Sequence, residues 1–73
     1  MKKKYAINLL GGTPMKAAAA TRRTVQAIYQ WEDPLTDQVE ALVMLAFSRL
    51  PKSQQRKNKL LADATVYLDE VKD

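Results

Sequence analysis

The segment 12–31, GTPMKAAAATRRTVQAIYQW, constrains the fold of this chain more than any other feature. The Thr-Pro pair at 13–14 marks a helix start, because threonine caps a helix and proline fits its first turn. The alanines at 17–20 favour helix, whereas the sequence TRRT at 21–24 has poor helix formers at both ends and favours a turn. The second threonine of that turn is a candidate cap for a helix to about residue 31. The segment therefore predicts two short helices joined by a tight turn.

The same part of the chain carries no acidic residue. Residues 1–31 hold six of the twelve Lys and Arg residues and none of the eight Asp and Glu residues. The formal net charge of +4 therefore combines a basic N-terminal half with a mildly acidic C-terminal half. A two-helix unit inside an acid-free zone indicates a surface that binds a polyanion.

Composition excludes several classes of function. At 73 residues we expect one domain, 1–73. The chain has no Cys and no His, so it lacks thiolate ligands and the commonest general base and metal ligand. With no glycine-rich phosphate loop either, we expect no enzyme, no metal site and no cofactor. The longest apolar run, 41–47, is far shorter than the roughly 20 residues of a membrane span, and we expect no membrane segment.

The residues before the two-helix unit predict a first helix over 3–10. Its apolar residues recur at helical spacing on one face, and they are Tyr5, Ala6, Leu9 and Leu10. The glycine pair at 11–12 ends this helix, since glycine accepts the left-handed conformation that closes helices.

A longer helix is predicted over 35–50, where one apolar stripe is continuous. The stripe consists of Leu35, Val39, Leu42, Val43, Ala46 and Leu50. Met44, Leu45 and Phe47 make the apolar surface wider than one intrachain face requires. This surplus has two interpretations, a core wrapped by the other helices or a dimer interface, and we favour the dimer interface.

The last part of the chain, 52–73, is a candidate dimerisation element. Ser53 is a candidate cap for a final helix. An apolar stripe then recurs at helical spacing, at Leu60, Leu61, Ala64, Tyr67, Leu68 and Val71. The alternative is a strand at 64–68, where Thr, Val and Tyr favour strands. We favour the helix, and the chain is then expected to be all-α, with five short helices around a central helix-turn-helix.

A helix-turn-helix imposes local requirements that this segment meets. A small residue is needed where the two helices touch, a tight turn must follow, and a buried aliphatic residue on the second helix must fix the angle. Ala18, Arg22 and Ile28 stand at these positions. The second helix of such a unit lies in the major groove of DNA.

The segment 5–31, YAINLLGGTPMKAAAATRRTVQAIYQW, resembles the Cro repressors of lambdoid phages and their prophage relatives. The resemblance covers about 4–46 and is carried by the YAINLLGGT opening, the alanine run and the QAIYQW ending. It implies a lambda-repressor-like domain in a small transcriptional repressor, located in the cytoplasm of a bacterial host cell. It also implies binding to palindromic operators in double-stranded DNA as a homodimer, and no small-molecule substrate. From the surplus apolar surface we expect this dimer to be weak without DNA.

The resemblance also implies which residues contact DNA. The base-reading positions of the family fall on Thr24, Val25, Gln26, Tyr29 and Gln30. Glutamine suits adenine, because its amide pairs with N6 and N7 in the major groove. Phosphate contacts are expected from Thr13, Lys16, Arg22 and Arg23. Trp31 is expected in the core.

Two positions depart from the pattern of the family. The turn residue is usually glycine and here is Arg22, and the aliphatic position after it is Arg23. A non-glycine residue in a left-handed turn costs about 1 kcal/mol. Either the turn differs in detail, or the strain is tolerated because the arginines contact phosphate. The alternative function is a small protein-interaction module, of the antitoxin or anti-repressor type, that binds partners through its last two helices.

Overall fold

The computed structural model describes the backbone of residues 1–71 and the side chains of residues 1–66. Over the described backbone the protein is all-α, without a strand. Its five helices are α1 (Lys3–Leu9), α2 (Pro14–Thr21), α3 (Val25–Tyr29), α4 (Asp37–Ser48) and α5 (Lys52–Val71). The predicted all-α fold is confirmed, and the strand considered for 64–68 is wrong because α5 is continuous there.

Threonine hydroxyls cap three of the helices. The oxygen of each accepts the N–H three residues further on, at 3.2 Å for Thr13, 3.1 Å for Thr24 and 3.3 Å for Thr36. Each contact satisfies a helix N–H that has no intrahelical partner. α3 therefore begins as predicted but ends at Tyr29 rather than Trp31. α4 is two residues shorter at each end than the sequence suggested.

The core combines buried alanines with larger aliphatic side chains. Ile28 of α3 and Val43 of α4 are fully buried. The remaining buried apolar residues are Ala6, Leu9, Leu10, Ala17, Ala18, Leu35, Ala46 and Ala62. The inward faces predicted for α1 and α4 are confirmed. Phe47 packs partly against this core, so only Met44 and Leu45 remain as exposed surplus on α4.

The packed face of α5 differs from the predicted one. Leu60 and Leu61 are 72% and 46% exposed, whereas Asn58 and Ala62 are buried. Ser53 lies inside the helix rather than at its cap. Ala64, also predicted on the apolar stripe, is exposed as well. The other three residues of the stripe, Tyr67, Leu68 and Val71, lie outside the residues whose side chains are described.

Polar contacts with α1 determine which face of α5 packs. The Asn58 amide donates to the backbone oxygen of Leu9 at 2.9 Å, and the Asn8 amide donates to the Thr65 hydroxyl at 2.7 Å. Ala62 lies between Asn58 and Thr65 in the sequence and is fully buried. Its small side chain allows α1 and α5 to approach closely. A buried carbonyl or amide without a hydrogen-bond partner lowers the free energy of unfolding. Forming these hydrogen bonds therefore stabilises this packing more than burying Leu60 and Leu61 would.

Candidate nucleic-acid interface

A left-handed turn at Arg22 joins α2 to α3. Arg22 has φ 58° and ψ 37°, as the helix-turn-helix pattern requires of that position. The N–H of Arg23 donates to the oxygen of Ala18 at 3.0 Å, and the buried Thr21 hydroxyl donates to the oxygen of Ala17 at 2.8 Å. These bonds satisfy carbonyls at the end of α2 and fix the direction in which the chain leaves it. The turn therefore keeps the left-handed geometry although glycine is absent.

The contact between α2 and α3 uses the predicted residues. Ala18 is buried on α2 and Ile28 is fully buried on α3. The small side chain allows the helices to approach, and the aliphatic one fills the space between them and the core. α3 is thereby held by its buried side while its opposite side faces solvent.

Three polar side chains form the outer face of α3. Gln26, Tyr29 and Gln30 stand at positions i, i+3 and i+4, which share one side of a helix. All three are exposed, Tyr29 by 63%. Their polar side-chain atoms form no hydrogen bond within the described residues; the only bond at Tyr29 outside the helix is to its backbone oxygen. We call this group the α3 outer face.

Two further candidate base-contact residues are placed differently. The Thr24 hydroxyl is exposed but accepts the N–H of Ala27, so its oxygen already serves the helix. Val25 is half-buried and packs against the core. The structure thus brings Gln26, Tyr29 and Gln30 together and turns Val25 towards the protein.

The candidate phosphate contacts lie at the two ends of α2. Thr13 and Lys16 are at its beginning and Arg22 and Arg23 follow its end, and all four are exposed. An eight-residue helix is about 12 Å long, which is close to the width of the major groove, about 12 Å. Among the described residues no carboxylate forms an ion pair with these cations.

The helix ends nearest these cations also lack acidic side chains. The first turns of α2 and α3 contain no Asp or Glu, whereas that of α4 contains Asp37 and Glu40. The positive end of a helix dipole attracts anions. The positive potential of the α2–turn–α3 unit is therefore not neutralised within the helices that carry it.

Lys3 links α1 to the end of α3, a contact that sequence reasoning missed. Its ammonium donates to the backbone oxygen of Tyr29 at 2.8 Å, and its own N–H donates to an Asp33 carboxylate oxygen at 3.2 Å. A lysine at a helix C-terminus stabilises the last carbonyls. The two partners are far apart in sequence, so no local pattern reveals the contact. Lys2 and Lys4 remain exposed.

A cleft of about 390 Å³ separates α3 from the beginning of α4. Its lining combines residues from the turn, both helices and the connection between them, and these residues are Arg23, Ala27, Gln30, Trp31, Gln38, Val39 and Leu42. Trp31 is half-buried and packs against the core, as predicted. The cleft could not be predicted from the sequence, because its lining residues share no periodicity.

Among the described residues, no group of acidic residues is arranged to hold a metal ion. No described helix combines the length and apolar content needed to cross a bilayer. No family model, curated protein or solved structure matches this chain.

Proposed function

We propose that this protein is a sequence-specific, double-stranded DNA-binding transcriptional repressor of the phage Cro type. The observation that carries the proposal is the α3 outer face, where Gln26, Tyr29 and Gln30 are exposed on a helix whose other side is buried. Placed in the major groove, the two glutamine amides reach adenine N6 and N7. The Tyr29 hydroxyl provides a further donor and acceptor beside them.

The cations at the two ends of α2 support the same proposal. Lys16 at one end and Arg22 and Arg23 at the other bind phosphates on either side of the groove that holds α3. Such contacts carry no sequence information, but they fix the register of the protein on the duplex. They also make the affinity depend steeply on salt, because bound phosphates release counterions.

Dimerisation belongs to the proposal as well. The molecule measures 34 × 28 × 20 Å, so the centres of two protomers side by side lie about 30 Å apart. Palindromic half-sites are separated by one helical turn, roughly 34 Å. A two-fold dimer of this size can therefore place one α3 in each of two successive major grooves. Repression then follows, as the Cro resemblance implies, from occupying a promoter and excluding polymerase.

Selection from random duplex DNA tests the proposal most directly. The recovered duplex and a scrambled duplex are then titrated by fluorescence anisotropy at two salt concentrations. We expect a palindromic sequence, with tighter binding to it than to the scrambled duplex and a steep loss of affinity as salt rises. Absence of any enriched sequence, with weak binding that disappears at physiological salt, would contradict the proposal.

The exposed leucines of α5 favour the second candidate, a protein-interaction module of the antitoxin or anti-repressor type. Leu60 is 72% exposed although it lies in a well-formed helix. Exposed apolar surface of this kind is typical of binding sites for other proteins. A folded sample that selects no DNA sequence would favour this candidate.

A further inference from the structure

The cleft between α3 and α4 has the chemical character of a small-molecule site. Its volume, about 390 Å³, falls within the range of about 300–1,000 Å³ that is typical of ligand pockets. Trp31, Val39 and Leu42 supply an apolar floor. A floor of this kind, with a few polar groups at its edge, both holds a ligand and orients it.

The polar edge of the cleft selects for negative charge. Among the described residues that line it, Arg23 is the only ionised one, and the other polar side chains are the amides of Gln30 and Gln38. No described carboxylate belongs to the lining, and none of those in the described part of the chain pairs with Arg23. A planar guanidinium that is not already paired binds a carboxylate through two parallel hydrogen bonds.

We propose that this cleft binds a small organic carboxylate carried on a flat aromatic group. Arg23 pairs with the carboxylate, the ring of the ligand packs against Trp31, and Gln30 and Gln38 donate hydrogen bonds at the edge. Because the cleft is largely open to solvent, much of the ligand stays hydrated. We expect a dissociation constant of about 1 mM for a minimal ligand.

The cleft shares Arg23 and Gln30 with the candidate DNA interface. A ligand that occupies both side chains removes one phosphate contact and one base contact from α3 and its turn. The carboxylate and the operator are therefore expected to compete for the protein. This competition rests on the proposed function, whereas ligand binding itself does not. Reciprocity requires operator to weaken ligand binding by the same factor.

Trp31 makes the binding step directly measurable, since it is the only tryptophan of the chain. The protein is titrated with sodium benzoate while tryptophan emission is recorded, with sodium chloride as the ionic-strength control and neutral benzamide as the uncharged analogue. We expect saturable quenching or a shift of emission by benzoate and at least roughly tenfold weaker binding of benzamide. No saturable change with benzoate overturns the proposal, and so does equal binding of benzamide.

Two arginine variants locate the bound carboxylate. Arg23→Gln is expected to weaken benzoate binding by at least roughly tenfold, while Arg56→Gln, on the exposed side of α5, leaves it unchanged. Circular dichroism confirms that both variants fold. Equal losses in the two variants, or none in Arg23→Gln, would assign the effect to general electrostatics and overturn the proposed site.

Competition with DNA separates the two proposals. If benzoate binds and displaces the selected operator from the wild-type protein, the regulatory step stands. If benzoate binds but operator affinity does not change, the ligand site stands and the shared use of Arg23 is wrong. If no DNA sequence is selected at all, the fluorescence titration still decides whether the cleft binds carboxylates.

Discussion

Arg22 holds a backbone conformation that most side chains avoid. Its φ of 58° is the only positive value among the described non-glycine residues. The conformation costs on the order of 1 kcal/mol for a residue with a Cβ, and the bonds of Arg23 and Thr21 to α2 maintain it. An arginine at a strained position beside the proposed recognition helix is explained if its charge contacts phosphate.

Replacing Arg22 with glycine separates strain from charge. Arg22→Gly relieves about 1 kcal/mol of backbone strain, which offsets the larger conformational entropy of unfolded glycine. We expect an unchanged or higher melting temperature, weaker DNA binding, and a salt slope lower by about 1. Thermal unfolding and anisotropy titrations at several salt concentrations measure both effects.

Arg23→Gly is the matched control, because Arg23 does not have a positive φ. It loses the same charge without relief of strain and is expected to be less stable by about 0.5–1 kcal/mol. A clear fall in the melting temperature of Arg22→Gly itself would show that the left-handed conformation costs little here.

Gln26 is the position at which base reading is most directly tested. Gln26→Ala is expected to weaken binding to the selected operator by about 1–3 kcal/mol and to leave binding to random DNA nearly unchanged. The reason is that its exposed amide reads a base edge but does not contact phosphate. Gln54→Ala, an exposed glutamine on α5, serves as the control. Equal losses on operator and random DNA would exclude base reading by Gln26.

Among the helices, α5 depends on α1 through a buried amide. Asn58 is 4% exposed and bonds both to the oxygen of Leu9 and to the side chain of Gln54. Asn58→Ala leaves a buried carbonyl at the end of α1 without this donor, and we expect a loss of about 1–3 kcal/mol in the free energy of unfolding. Urea denaturation measures it. Gln54→Ala removes only the exposed partner and is expected to cost at most about 0.5 kcal/mol.

A second contact between α1 and α5 depends on pH. The Lys59 ammonium donates to Asp63 at 2.8 Å and to the Tyr5 hydroxyl at 2.7 Å, and that hydroxyl donates to Asp63 at 3.0 Å. The hydrogen bond from Lys59, followed by that from Tyr5, lowers the pKa of Asp63. The hydrogen bonds to Asp63 and then to Tyr5 raise the pKa of Lys59.

These directions determine when the cluster stabilises the fold. The lowered pKa of Asp63 contributes stability above the unfolded value of about 3.9, and the contribution disappears as the pH falls through the folded pKa. The raised pKa of Lys59 contributes stability below about 10.4, and that contribution disappears as the pH rises through its folded pKa. Between about pH 5 and 9 both contributions are constant.

The melting temperature of Asp63→Asn relative to wild type reports this cluster. We expect a difference that is constant between about pH 5 and 9 and that shrinks below about pH 3.5. Because the carboxylate is exposed, the difference is expected to be small and to decrease with salt. Glu32→Gln, which removes an exposed carboxylate outside this cluster, is the control. A difference that persists unchanged at low pH would mean that the charge of Asp63 contributes nothing.

For the whole molecule, the proposal to test is that two copies associate through α5. Leu60 of α5 is 72% exposed. Leu60→Glu is expected to shift the protein to monomer in sedimentation equilibrium and to weaken operator binding, without lowering the melting temperature of the protomer. Met15→Glu replaces a residue of the same exposure on α2 and is expected to leave the association state unchanged. A protein that stays monomeric even when bound to its operator would contradict dimerisation.

The sequence alone determined the helices and the two-helix unit. Threonine caps, the Thr-Pro start, the glycine pair and the stripe of α4 are local signals, and the structure confirms each within about two residues. The burial of Ala18 and Ile28 also followed from the sequence, because a tight turn between two helices permits few geometries. The sequence left open whether Arg22 takes the left-handed conformation, and the structure shows that it does. Helical periodicity predicts that Val25, Gln26, Tyr29 and Gln30 face outward. The structure exposes Gln26, Tyr29 and Gln30, whereas Val25 is half-buried against the core.

Tertiary structure alone decided which face of α5 packs and where the cleft lies. Periodicity predicted that Leu60 and Leu61 would be buried, but the buried residues are Asn58 and Ala62. A hydropathy pattern does not show that the Asn58 amide donates a hydrogen bond to the backbone oxygen of Leu9. Such pairings join residues that are distant in the chain, and a buried polar group is stable only when its partner arrives from another helix. Sequence periodicity indicates which apolar residues share a helix face, whereas the tertiary structure determines which polar groups form hydrogen bonds with each other.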